Sequence, residues 1–132
     1  MNIYCCSCEC DSKTKLVSGA EIYPSRNDLS DLRFWRCLKC FNYVGCHHKS
    51  DNKTKPLGVV PTPELRKART HIHKLIDPLW KEKLINRKHL YNKIGAALGF
   101  KFHTADIRTI ESAREIYKVC VSIKNELIAQ EK

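Results

Sequence analysis

Two Cys-x-x-Cys pairs, Cys5 to Cys8 and Cys37 to Cys40, are the residues of this chain best suited to chemistry. In such a pair a tight turn points two sulfurs at one ion and leaves backbone N–H groups beside them to stabilise thiolates. Two turns together complete a tetrahedral four-sulfur shell of the kind that holds Zn2+. A closed shell has no position for water or substrate, so the expected ion is a single structural one, whose binding energy doubles as folding energy. The first pair stands in a crowded stretch, because Cys5, Cys6, Cys8 and Cys10 lie together. Cys6-x-x-x-Cys10 is an alternative pair, and Cys46 and His47, just past the second turn, are alternative ligands. His48 follows them with its role open. Cys120 falls on an apolar helical stripe and reads as a core residue.

The elements that position these sulfurs are expected to be short strands. Thr14–Ser18 and Ala20–Tyr23 are strand candidates, with Gly19 between them supplying a positive φ in a tight turn. Pro24 to Asp31 is polar and reads as a loop. Phe34–Arg36 leads into Cys37 and Phe41–Val44 leads out of Cys40, both aromatic or β-branched. Residues 49–61 read as a connector, polar from Lys49 to Lys55, with a short apolar stretch at Leu57, Val59 and Val60.

Helices follow. Thr62-Pro63-Glu64 gives an N-cap, a proline at the first helical position and an acid in the first turn. Leu65, Ala68, Ile72, Leu75 and Ile76 follow at helical spacing. Asp77-Pro78 repeats the start signal, so a second helix is expected, with Trp80, Leu84, Tyr91, Ile94 and Leu98 on its stripe and Gly99 as its left-handed terminator. Thr104 is the expected cap of a third helix carrying Ile107, Ile110, Ala113, Tyr117, Cys120, Ile123 and Leu127. The fold class predicted is α+β: a small N-terminal zinc ribbon (1–48), the connector (49–61) and three α-helices (62–132) packed on the ribbon as one compact unit.

The chain has 132 residues and a net charge of +10. Residues 61–101 hold 10 basic and 3 acidic side chains, against 9 and 6 in residues 1–60 and 5 and 5 in residues 102–132. The middle segment is therefore the electropositive part, and it suits a polyanion, DNA or RNA. Arg66, Lys67, Arg69 and Lys74 on the first helix lie off the apolar stripe, as do Lys81, Lys83, Arg87, Lys88 and Lys93 on the second. Such faces contact phosphates without reading sequence. Trp35, Phe41 and Tyr43 are candidates for stacking on bases where exposed. The stretch from Tyr91 to Ile110 has the order of a helix-turn-helix, with a longer link than the standard turn. The last helix is charge-balanced and offers a route to a dimer.

No run of about 18 apolar residues is present, so no membrane-spanning helix is expected. The first ten residues lack the order of a secretory signal. A cytoplasmic, reducing location follows, where clustered cysteines read as metal ligands before disulfides. His47, His48, Asp51 and His73 are candidate side chains for a metal-dependent hydrolase, yet no pair of helical histidines brackets a glutamate. A non-enzymatic protein is therefore expected.

Several motifs stand in a specific order: Ala20-Glu21-Ile22-Tyr23-Pro24, Phe34-Trp35-Arg36-Cys37-x-x-Cys40, Tyr43-Val44-Gly45-Cys46-His47, Pro56-Leu57-Gly58, Glu64-Leu65-Arg66 and Asp77-Pro78-Leu79-Trp80. Over roughly Cys5 to Leu98 they resemble an uncharacterised zinc-finger-containing domain family of bacteria and their phages. The resemblance implies zinc binding and a small, often phage-encoded protein, for which a modulator of a host protein complex is an alternative role, and it implies no reaction. By position it picks out Tyr23, Cys37, Cys40, Gly45, Cys46, His47, Arg66, His73, Asp77 and Trp80. The family's first pair is a single Cys-x-x-Cys followed by Gly, where this chain has Glu9, and Lys49–Lys55 is longer than the family form.

Overall fold

The computed structural model describes residues 1–131, and the chain divides into two units, Met1–Pro63 and a second from Glu64 onward. In the first, four strands run as an antiparallel meander: β1 (Asn2–Cys5), β2 (Cys10–Ser18), β3 (Arg33–Cys37) and β4 (Tyr43–Gly45). The register sets Thr14 opposite Cys37 and Leu16 opposite Trp35, which in turn faces Val44. Because side chains alternate across a strand, these residues share one face. Ile3, Cys5, Cys37, Val44 and Val60 form its buried core, with Cys8, Trp35 and Cys40 against it. The opposite face carries Phe34 and Tyr43, which meet Tyr23 edge-on at centroid distances of 5.7–5.9 Å.

Three expectations for this unit are corrected. Ala20–Tyr23 is not a strand, because the chain turns into a one-turn helix, α1 (Gly19–Ile22), closed by the Tyr23 N–H donating to the Gly19 carbonyl. Gly19 does not have positive φ. It is needed for room: a Cβ there would sit 1.7 Å from the Leu29 carbonyl oxygen. The segment read as a connector is also part of the core. Val60 N–H donates to the Tyr4 carbonyl and Cys6 N–H to the Val60 carbonyl, so the chain after the polar stretch returns alongside β1 and buries Val59 and Val60. The Trp35 indole N–H donates to the Thr54 carbonyl and ties the polar stretch down.

The second unit has three long helices, α2 (Pro63–Lys81), α3 (Arg87–Leu98) and α4 (Ile110–Glu131). α2 begins at Pro63 as predicted, but it does not break at Asp77-Pro78. A proline inside a helix costs about 3 kcal/mol. Here its exposed ring leaves Ile72, Ile76 and Leu79 on one buried stripe that runs past it. The break comes at Lys83, whose φ is 63°. Lys83 N–H donates to the Trp80 carbonyl and Leu84 N–H to the Leu79 carbonyl, the paired bonds of a Schellman terminator with lysine in glycine's place. Trp80 therefore belongs to α2 and Leu84 to the link. Asn86, whose side chain accepts from the Lys88 and His89 N–H groups, caps α3.

Gly99 ends α3 at φ 84°, as predicted. Thr104 opens only a 3-10 turn (Thr104–Asp106), and α4 starts later, where Thr109 Oγ1 accepts from the Ser112 N–H. The α4 stripe is Ala113, Ile116, Cys120 and Ile123. Ile116 takes the buried place that simple spacing gave to Tyr117, which is 42% exposed. Cys120 is fully buried, and burial pushes its thiol up to about 12. Among the described residues no helix is long and apolar enough to cross a membrane.

Candidate metal centre

The meander brings the two cysteine pairs together. The turn from β1 to β2 carries Cys5 and Cys8, and the turn from β3 to β4 carries Cys37 and Cys40. The two turns are built alike. In each, the first sulfur accepts from the backbone N–H groups two and three residues on: Ser7 and Cys8 for Cys5, Lys39 and Cys40 for Cys37. Each is then closed by a left-handed residue just after the second cysteine, Glu9 at φ 55° and Phe41 at φ 64°. Neither is glycine, so each turn carries about 1 kcal/mol of backbone strain.

The four sulfurs lie within 4.8 Å of one another. Cys5 Sγ is 3.4 Å from Cys40 Sγ, and Cys8 Sγ is 3.8 Å from Cys37 Sγ. A tetrahedron with Zn–S bonds of about 2.3 Å has edges of about 3.8 Å, so the cluster has the size of a four-thiolate zinc shell. All four cysteines are free thiols. The donor set fits zinc and could hold one ion.

The electrostatics of the thiols agree. Burial pushes Cys5 up to about 12 and raises Cys8. Burial acts the same way on Cys37, but the N–H groups of Cys40 and Lys39 and the hydroxyl of Ser12 outweigh it and bring this thiol down to about 6. Four adjacent sulfurs cannot all ionise by themselves, since each thiolate holds the proton on its neighbours. A divalent cation in the centre supplies the charge that removes the remaining protons. Ser12 was not singled out in the sequence. It is 2% exposed on β2, where its hydroxyl donates to the Cys10 carbonyl at 3.5 Å and lies 3.7 Å from Cys10 Sγ, and it is among the groups that lower the Cys37 thiol. Its only signal in the sequence was a polar residue at an inward position of a strand.

The alternative ligands lie outside the group of four. Cys6 and Cys10 are half-buried beside it. Cys46 is buried in a backbone bridge to Pro56, and burial raises its thiol. His47 binds the Lys55 carbonyl through its backbone N–H. His48 Nε2 bonds the Arg33 carbonyl at 2.9 Å, with its ring on Phe34. His73 pairs with Asp77 one helical turn on. Among the described residues the four cysteines are the one group of three or more His, Cys, Asp or Glu able to hold a metal, so His47, His48, Asp51 and His73 are not gathered into a second centre.

The basic residues divide. Lys67, Lys74 and Lys81, at seven-residue intervals on α2, are exposed, as are Lys83 and Lys88. Arg66 is half-buried. Arg69 donates to the Ile107 carbonyl and so braces the link before α4. Lys93 faces Glu126 at 3.7 Å, and Arg87 lies over the Tyr91 ring at 4.4 Å and near Trp80. Of the three candidate stacking rings, Trp35 and Tyr43 are half-buried in the ribbon, while Phe41 is 64% exposed.

No curated protein and no solved structure matches the chain. Its sequence does match the pattern of one family over residues 2–126, nearly its whole length and both cysteine turns, and the chain belongs to that family, described as a zinc-finger-containing domain.

Proposed function

We propose that Cys5, Cys8, Cys37 and Cys40 hold one structural Zn2+ and that the protein is a non-enzymatic nucleic-acid-binding module that contacts the phosphate backbone through α2. The observation that carries the second part is the row of Lys67, Lys74 and Lys81. Seven residues of helix advance about 10.5 Å and return to nearly the same face. The three exposed ammonium groups therefore stand in a line of about 21 Å, opposite the buried stripe of Leu65, Ile72, Ile76 and Leu79. A row of that length tracks a backbone and reads no bases, so binding is expected to be strongly salt-dependent and nearly indifferent to sequence.

The test is fluorescence anisotropy of labelled duplex DNA, single-stranded DNA and RNA across a salt series, with the Lys67→Gln/Lys74→Gln/Lys81→Gln variant alongside. The reading expects the slope of log affinity against log salt to fall by about 2–3 in the variant, about 0.7–0.9 per lost contact. Absence of binding at low salt, or an unchanged slope, overturns it.

A further inference from the structure

Beside the lysine row, α2 and α4 enclose an open groove of different character. One hollow, about 340 Å³, is floored by Ala68 and Ile72 of α2 and by Ile110, Ala113 and Tyr117 of α4. A second hollow of about 410 Å³, bounded by Leu75, continues past His71 and Tyr117. The α4 residues that line the two run from Ile110 to Lys124 at helical spacing. That is about 21 Å, or four turns. The rim is cationic: Arg114 and Lys118 border the first hollow, and Lys74 and Lys124 the second. Among the described residues no carboxylate lines either hollow. The nearest ion pair, Lys118 with Glu115 at 3.8 Å, joins two side chains that are each more than 70% exposed and contributes little.

We propose that this groove docks an amphipathic helical segment of a partner protein whose polar face is acidic. An apolar floor between two helices, about four turns long, receives a helix through side chains spaced three and four apart. The cationic rim selects the sign of that helix's polar face. A nucleic acid gains nothing from the apolar floor. A second copy of this chain packed symmetrically, groove on groove, sets one cationic rim against another. The proposal is independent of the phosphate-binding reading, since Lys74 is the one residue common to both.

The experiment uses the full-length protein and a fluorescein-labelled 18-residue peptide of leucine and glutamate, with leucines spaced as on one helical face. A second peptide has lysine in place of every glutamate. Binding of the acidic peptide is expected, with amide shifts at Ala68, Ile72, Ala113 and Tyr117. Affinity is expected to fall at least tenfold in Arg114→Glu/Lys118→Glu and in Tyr117→Ala, changes at exposed positions that leave the helical circular dichroism unchanged. Four outcomes overturn the proposal: equal binding of the lysine peptide, shifts confined to other residues, duplex DNA shifting the same groove residues, or self-association of the protein that the groove variants abolish.

Discussion

Replacing Ser12 by alanine removes one oxygen from beside the metal centre and nothing else of size. The hydroxyl is 2% exposed, sits 3.7 Å from Cys10 Sγ beside the centre, and is among the groups that bring the Cys37 thiol down. A hydrogen bond to a charged group is worth about 1.5–3 kcal/mol. Converted at 1.4 kcal/mol per decade, Ser12→Ala is expected to weaken zinc binding by about 10–100-fold, the range found for partners that support metal ligands from behind. Competition against a chromophoric chelator at neutral pH reads the change directly. Cys6→Ser is the control: Cys6 lies beside the centre and outside the group of four, so its affinity is expected to stay within a few-fold of the parent. If Ser12→Ala binds zinc as tightly as the parent, the hydroxyl does not support the thiolates and the electrostatic account of the centre is wrong.

Two further predictions concern the backbone of the ribbon. Phe41→Gly places glycine at φ 64° and gives up only a side chain that is 64% exposed, so urea denaturation of the zinc-loaded protein is expected to show stability unchanged or raised by up to about 0.5 kcal/mol, the relieved strain less the entropy of glycine. A loss of stability in that variant shows that the exposed ring packs on something that matters. Gly19→Ala drives a methyl to within 1.7 Å of the Leu29 carbonyl oxygen, so a loss of about 2–3 kcal/mol in the same assay is expected, and a neutral result means that the loop after α1 yields freely.

The sequence told most where spacing alone decides geometry. The two Cys-x-x-Cys turns sit at chain reversals of a meander, and the Pro63 start and Gly99 stop are local signals that tertiary packing did not override. Other features depend on residues far apart in the chain. Val60 joins the core because its backbone pairs with β1 at Tyr4 and Cys6, a contact with no local signature. Lys83 and Glu9 adopt left-handed backbone without glycine, so the stop of α2 and the closure of the first cysteine turn left no mark in residue type. Pro78 shows the reverse: a strong local breaker inside a helix whose buried stripe carries on through it. Cys6 and Cys10 matched the ligand pattern by type and spacing, and the strand register even sets Cys10 opposite Cys5, so only the positions of the sulfurs themselves separate the two from the group of four.

The most direct measurement is a metal count on the purified protein by elemental analysis, followed by a strong chelator while the amide spectrum of residues 1–63 is recorded. One zinc per chain is predicted, with collapse of the ribbon's dispersed resonances when it is withdrawn and their return when zinc is restored. A metal-free protein whose ribbon resonances stay dispersed in chelator contradicts the account.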